Sequence, residues 1–225
     1  MNAGELYDAF RSDVVDTAKP YLWADAEVYR YMDAAYKMFV RLTGGIADFT
    51  SEAAEISASA GERSAEHHPS ILRFLSAQRK SDGDAISILN LNDASVMGNS
   101  DYGNVRTLLS DNRVGQIRGM IIGKQRGVVE FVGTPEEDDT VLLAIERLPL
   151  VDVVDESHAL NEIDAHHHVY LLEWMKHLAY KKQDAETFDK TKSEDGSEAF
   201  EKYCLQVKHE LDRERFKPRV VQYGG

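Results

Sequence analysis

The chain has 225 residues, with 26 lysines and arginines against 39 aspartates and glutamates, for a formal net charge of -13. That length can bury a real core in one good-sized domain or two small ones, and 43% hydrophobic with 29% charged residues excludes wholesale disorder. The acidity excludes a bulk electrostatic grip on nucleic acid or anionic membrane.

No run of 18 apolar residues is present to span a bilayer. Cys204 is the only cysteine, so no intrachain disulfide can form, and a reducing compartment is expected. Met1-Asn2-Ala3-Gly4-Glu5 has neither the basic nor the apolar region of a secretion signal, so the chain is expected to stay on the cytoplasmic side.

In chain order, Leu6, Phe10, Val14 and Ala18 recur at helical spacing and predict a first helix ended by Lys19-Pro20. Tyr21-Leu22-Trp23 makes an apolar corner. A second helix starts with Asp25 as its cap, runs through Val28, Met32, Ala35, Phe39 and Leu42, and stops at Gly44-Gly45.

From Ile46 to about Asp155 the helical period fades. Apolar runs at 70–77 and 84–89 flank Ser81-Asp82-Gly83, a hairpin signal. Runs at 119–122 and 128–132 flank Lys124-Gln125-Arg126-Gly127, a second hairpin, and 140–145 is a further strand beyond the acidic turn Pro135 to Asp139. Residues 92–113, rich in Asn, Asp, Ser and Gly, read as a long loop with one short helix. After Pro149 an apolar stripe of Leu171, Trp174, Met175 and Leu178 begins near Asp164. A last helix runs from about Asp189 through Phe200, Tyr203, Cys204, Val207 and Leu211 to Arg215. Gly196 costs that helix about 1 kcal/mol relative to alanine, which suggests a kink or a start nearer Ser197.

The expected fold is α+β. Helices of 1–45 and 157–216 join in one antiparallel bundle, residues 46–156 form a β-rich insertion that projects from it, and 217–225 form an extended arm.

Few residues invite chemistry. Three consecutive helical residues point about 100° apart, so His166-His167-His168 is not expected to converge on a metal and reads as surface or interface histidines. His67-His68-Pro69 reads the same way. Glu136-Glu137-Asp138-Asp139 lacks the alternating ligands and glycine of a calcium loop and reads as a solvated turn. Cys204 lies on an apolar stripe and reads as a buried structural thiol. Catalytic nucleophile, nucleotide and dinucleotide motifs are missing, so neither catalytic nor cofactor residues are assigned.

The C-terminus differs. Arg213, Arg215, Lys217 and Arg219 make it basic on an acidic protein, and Val220-Val221-Gln222-Tyr223 has high β propensity, which suits pairing with a neighbour's sheet edge. A frayed terminus is the plain alternative.

The segments Glu5-Leu6-Tyr7-Asp8-Ala9-Phe10-Arg11, Pro20 to Ala35, Glu146 to Leu150, Glu162 to His168, Trp174 to Tyr180, Gln183 to Asp189 and Val220 to Gly225, taken in this order, resemble head-to-tail adaptor proteins of short-tailed bacteriophages. The resemblance covers roughly the first 45 and last 80 residues and is weak across 46–115. It implies a non-enzymatic virion protein, assembled in the host cytoplasm, forming a ring of twelve between the portal ring and a downstream tail protein. The helices would form the ring wall and the β insertion would face the tail. Genomic DNA would pass through without specific binding, and the free protein would be monomeric.

The arm of Lys217, Arg219, Val220, Val221, Gln222, Tyr223, Gly224 and Gly225 would bind the portal. Competing readings are another neck ring (stopper or tail terminator), a cell-wall hydrolase, and an acidic DNA mimic.

Overall fold

The computed structural model describes residues 1–90, 113–184 and 186–215. It is mixed α+β and divides into two compact units. One comprises Met1–Gly45 and the described residues from Pro149 on, the other Ile46–Leu148. Residues 149–156, placed in the insertion by the sequence reading, group instead with the helices. There the Asp33 carboxylate accepts the Val153 N–H at 3.1 Å and Lys37 Nζ bonds Asp152.

The helical unit has four α-helices among its described residues: α1 (Ala3–Asp13), α2 (Asp25–Thr43), α3 (Leu171–Lys181) and α4 (Lys190–Arg215). Asn2 caps α1 by accepting the Glu5 N–H at 2.8 Å, while the Glu5 carboxylate accepts the Asn2 N–H at 3.0 Å. The helix stops at Asp13, short of the predicted Ala18. Val15 turns to a φ of 57° and is exposed, and this break frees the Asp16 side chain for the corner described below. α2 is capped at Ala24 rather than Asp25, because the Asp25 carboxylate is engaged elsewhere. It ends, as its Gly44-Gly45 pair predicts, with Gly44 at a φ of 108°.

α3 packs on α2 and α4, and α1 packs on α2 and α3. The buried residues include Leu6, Phe10, Met32, Tyr36, Met175 and Phe200.

α4 runs through Gly196 without interruption. A Cβ at Gly196 would lie 2.7 Å from the Glu173 carbonyl oxygen and 3.2 Å from the His177 backbone nitrogen. The glycine therefore marks the close approach of α4 to α3. One turn earlier, buried Ser193 donates its hydroxyl to the His177 carbonyl at 3.0 Å.

Among its described residues the second unit holds ten strands: β1 (Ile46–Asp48), β2 (Glu55–Ala58), β3 (Ser64–Glu66), β4 (Ile71–Arg79), β5 (Ala85–Asn90), β6 (Val114–Gly115), β7 (Gly119–Gln125), β8 (Val128–Val132), β9 (Thr134–Pro135) and β10 (Asp139–Arg147). Both predicted hairpins form, β4–β5 and β7–β8, and the third predicted run lies within β10. The sheet order is β1-β10-β4-β5-β7-β8-β3, with β2 also on β10 and β5 parallel to β7. β6 and β9 pair separately.

Going from β2 to β3 across this order takes six strand spacings, about 29 Å if the sheet were flat. The chain has only Ser59 to Arg63 to make that link, about 20 Å at full extension. The sheet must curl, and its core of Ile56, Ile117, Met120, Phe131, Val141 and Ile145 fills the inside.

Buried ion pairs fasten this unit. Arg147 Nε bonds Asp48, whose carboxylate also accepts the Thr50 N–H at 2.9 Å, the Ser51 N–H at 3.1 Å and the Ser51 hydroxyl at 2.5 Å. Burial alone would raise the Asp48 pKa, but the bonds from Ser51, Arg147 and the backbone hold it well below the usual carboxylate range. Arg79, also buried, binds Asp82 at 2.7 Å, Asp84 at 2.8 Å and the Ile117 carbonyl, which locks the β4–β5 turn.

Two outcomes follow for unfolding measurements. Gly196→Ala should destabilise by roughly 1–3 kcal/mol through overpacking, although helix propensity alone would predict a gain of about 1 kcal/mol; urea unfolding reads the sign. Asp48 has a folded pKa below its unfolded value, so its stabilisation is present above about pH 4 and is lost as pH falls below that. Asp48→Asn should therefore flatten the acid limb of the stability profile. It should also cost about 1–3 kcal/mol at neutral pH, because the charge-assisted bonds from Arg147 and Ser51 to the Asp48 carboxylate are lost.

Candidate functional site

Two side-chain clusters stand out in the helical unit. The first is the corner between α1 and α2. Arg11, 4% exposed, reaches from α1 to Asp16, also buried, and to Asp25 at 2.8 Å. The Asp16 carboxylate accepts the Leu22 N–H at 2.9 Å and the Trp23 N–H at 3.4 Å. The guanidinium lies over the rings of Tyr7 and Tyr21, 4.9 and 4.1 Å from their centroids.

Tyr7 donates its hydroxyl to Asp25 at 2.5 Å, and burial together with that bond pushes its pKa up to about 12. The corner seats Trp23, 1% exposed, whose indole N–H donates to the Ala179 carbonyl of α3 at 3.2 Å and whose ring meets Tyr180 edge-on. The sequence reading placed these residues at a corner but not the ion pair, because nothing in the spacing of Arg11, Asp16 and Asp25 distinguishes them from surface charges.

The second cluster is the histidine run. Residues Ala165–Tyr170 form a 3-10 turn ahead of α3. His167 and His168 are 8% and 4% exposed, which corrects the expectation of surface histidines; only His166 is exposed. The tight turn presses the two against the interior. The His167 ring packs 5.0 Å from Phe39 of α2, and its Nδ1 lies 2.9 Å from the Tyr203 hydroxyl of α4.

The expectation that these histidines diverge also fails for one pair. The His166 and His167 rings approach to 3.9 Å, and one potential ligand atom from each of Asp164, His166 and His167 lies within 4.8 Å of the others. Adjacent side chains can bend toward each other even when their Cβ directions differ, which a helical wheel does not capture. Burial, with a smaller contribution from the neighbouring His166 ring, lowers the His167 pKa.

The other sequence candidates are structural. The His67 ring meets Phe74 edge-on at 5.2 Å, and His68 Nδ1 lies 2.7 Å from the Ser70 hydroxyl. In the acidic turn, Asp138 accepts the Ala60 N–H at 2.7 Å and Asp139 accepts the Ser81 hydroxyl at 2.7 Å, so both help close the loops of the curled sheet. Cys204 is buried on the inner face of α4, and burial pushes its thiol up to about 12.

The predicted docking residues Lys217, Arg219, Val220, Val221, Gln222, Tyr223, Gly224 and Gly225 lie outside the described residues, as do residues 92–112 of the predicted loop. Exposed apolar side chains occur on both units, among them Phe49, Val114, Val151, Val154 and Leu205. No helix among the described residues is long and apolar enough to cross a membrane.

Arg11, Arg79 and Arg147 are committed to holding turns and corners, and some large apolar side chains of both units are exposed. A profile of the SU10 adaptor protein family matches residues 1–221, and the chain belongs to that family of phage structural adaptors, which is not a known enzyme family. No curated protein matches the chain.

Arg11→Met should cost about 3–5 kcal/mol in chemical denaturation, because Asp16 would be left buried without its counter-charge. Cys204 should resist a thiol reagent in the native protein and react once the chain is denatured. Rapid native labelling would contradict its buried placement.

Proposed function

We propose that this chain forms the adaptor ring that joins the portal of a bacteriophage to its tail and extends the channel for the genome. The family match carries the reading, because it runs through both compact units and into the C-terminal segment. In this reading twelve copies close a ring. α1 to α4 act as an antiparallel bundle forming its wall, and the β unit faces a downstream tail protein.

Head-to-tail closure needs two different faces on each copy. The exposed Val151, Val154 and Leu205 of the helical unit and the exposed Phe49 and Val114 of the β unit are the kind of side chains that neighbours would cover. The net charge of -13 would keep DNA from adhering as it passes.

The basic arm 217–225 would dock on the portal by strand pairing, with side chains at alternate positions giving specificity. Ordering a free arm costs conformational entropy that only a matching partner offsets, so free chains would stay monomeric until a portal is present.

Light scattering of the purified protein, alone and mixed with portal rings, tests this. The reading expects a monomer that joins portal at one chain per portal subunit, and a variant lacking 217–225 that stays free. A full-length chain that leaves portal unchanged in mass would overturn it. Equal binding by the truncated chain would overturn the role of the arm.

A further inference from the structure

We propose that Asp164, His166 and His167 form a binding site for one divalent transition-metal ion of the zinc type. One potential ligand atom from each already lies within 4.8 Å of the others. Around a tetrahedral zinc with metal–nitrogen distances near 2.1 Å, ligand atoms sit about 3.4 Å apart. Closing the set therefore asks for shifts of about 1 Å, which exposed Asp164 and His166 can make by small side-chain rotations.

The third ligand is the anchored one. His167 is pinned by the Phe39 ring at 5.0 Å and by the Tyr203 hydroxyl, 2.9 Å from Nδ1. In the tautomer that donates Nδ1–H to the Tyr203 hydroxyl, Nε2 keeps the free lone pair that a metal requires, and the Phe39 and Tyr203 contacts hold the ring orientation.

Asp164 supplies an independent observation. It stands at the cap position of the 3-10 turn Ala165–Tyr170, where an aspartate ordinarily accepts a backbone N–H of the first turn, yet its side chain makes no such bond. Its backbone carbonyl takes the His167 N–H at 2.9 Å instead. The carboxylate is thus left to its neighbours, the two imidazoles.

Two imidazole nitrogens and one carboxylate oxygen suit zinc, cobalt or nickel, whereas magnesium and calcium prefer all-oxygen sets. Three protein ligands leave a fourth position for water or for a donor from a neighbouring molecule. A bound ion would tie the turn before α3 to α2 through Phe39 and to α4 through Tyr203.

The test uses the full chain, stripped with a chelator and titrated with cobalt(II), following the visible absorption of the bound ion and its displacement by zinc. The expected result is one ion per chain and a rise in the thermal midpoint that chelator reverses. His166→Ala and Asp164→Asn should each lose at least tenfold in affinity. Both residues are exposed, so these variants keep the fold, which circular dichroism checks, whereas His167→Ala risks unfolding.

Tyr203→Phe should weaken binding by roughly ten- to a hundredfold, as expected for a positioning partner of a ligand histidine. A His67→Ala, His68→Ala double variant should bind as the unaltered chain does. An absent cobalt spectrum, or one that survives His166→Ala and vanishes with the His67 and His68 replacements, would overturn the site.

Discussion

The buried guanidinium of Arg11, held between Asp16 and Asp25, is the constraint on which the helical unit turns. A charge removed from water must be compensated in place, and here two carboxylates and two tyrosine rings do so. To present Asp16, α1 has to end at Asp13 and the chain has to pass through a left-handed residue at Val15. To present Asp25, α2 has to begin there. Once both are fixed, the Leu22 and Trp23 amides fall against Asp16, and the Trp23 indole is delivered to the Ala179 carbonyl. The indole bond and the edge contact of Trp23 with Tyr180 help seat α3 against the corner, and the contact of α3 with α4 depends in turn on the missing side chain at Gly196.

The β unit uses the same device. Arg147 with Asp48 fastens β10 to the residues that follow β1, and Arg79 with Asp82 and Asp84 fastens the β4–β5 turn to the carbonyl of Ile117. In an acidic chain this has a second effect. Arginines drawn into buried pairs neutralise carboxylates that the fold needs inside and leave the surplus negative charge at the surface.

Much of the architecture was legible because long apolar runs carry their own period. Leu6 and Phe10, Val28 through Phe39, and the two hairpin signals at Ser81-Asp82-Gly83 and Lys124-Gln125-Arg126-Gly127 sit where the sequence puts them. The strands β1, β2, β3, β6 and β9 were not legible, because two to four residues are too few to show alternation. Nor was the parallel pairing of β5 with β7, which joins strands separated by the long polar stretch that reads as a loop with one short helix. The end of α1 was misplaced because Val14 and Ala18 continue the apolar period, while a tertiary ion pair decides where the helix stops. The histidine run was misjudged because a helical wheel fixes Cβ directions and says nothing of a tight turn pressed inward. Gly196 looked like a weak point in a helix and is instead a packing requirement.

The chain belongs to the SU10 adaptor family, and the proposed account of it is a passive ring set between portal and tail. The most direct measurement is electron microscopy of particles made by the parent phage when the gene for this chain is silenced, with purified protein then added back. The account predicts DNA-filled or freshly emptied heads that carry a portal but no tail, with tails restored by adding the protein. Fully tailed particles in its absence would contradict it.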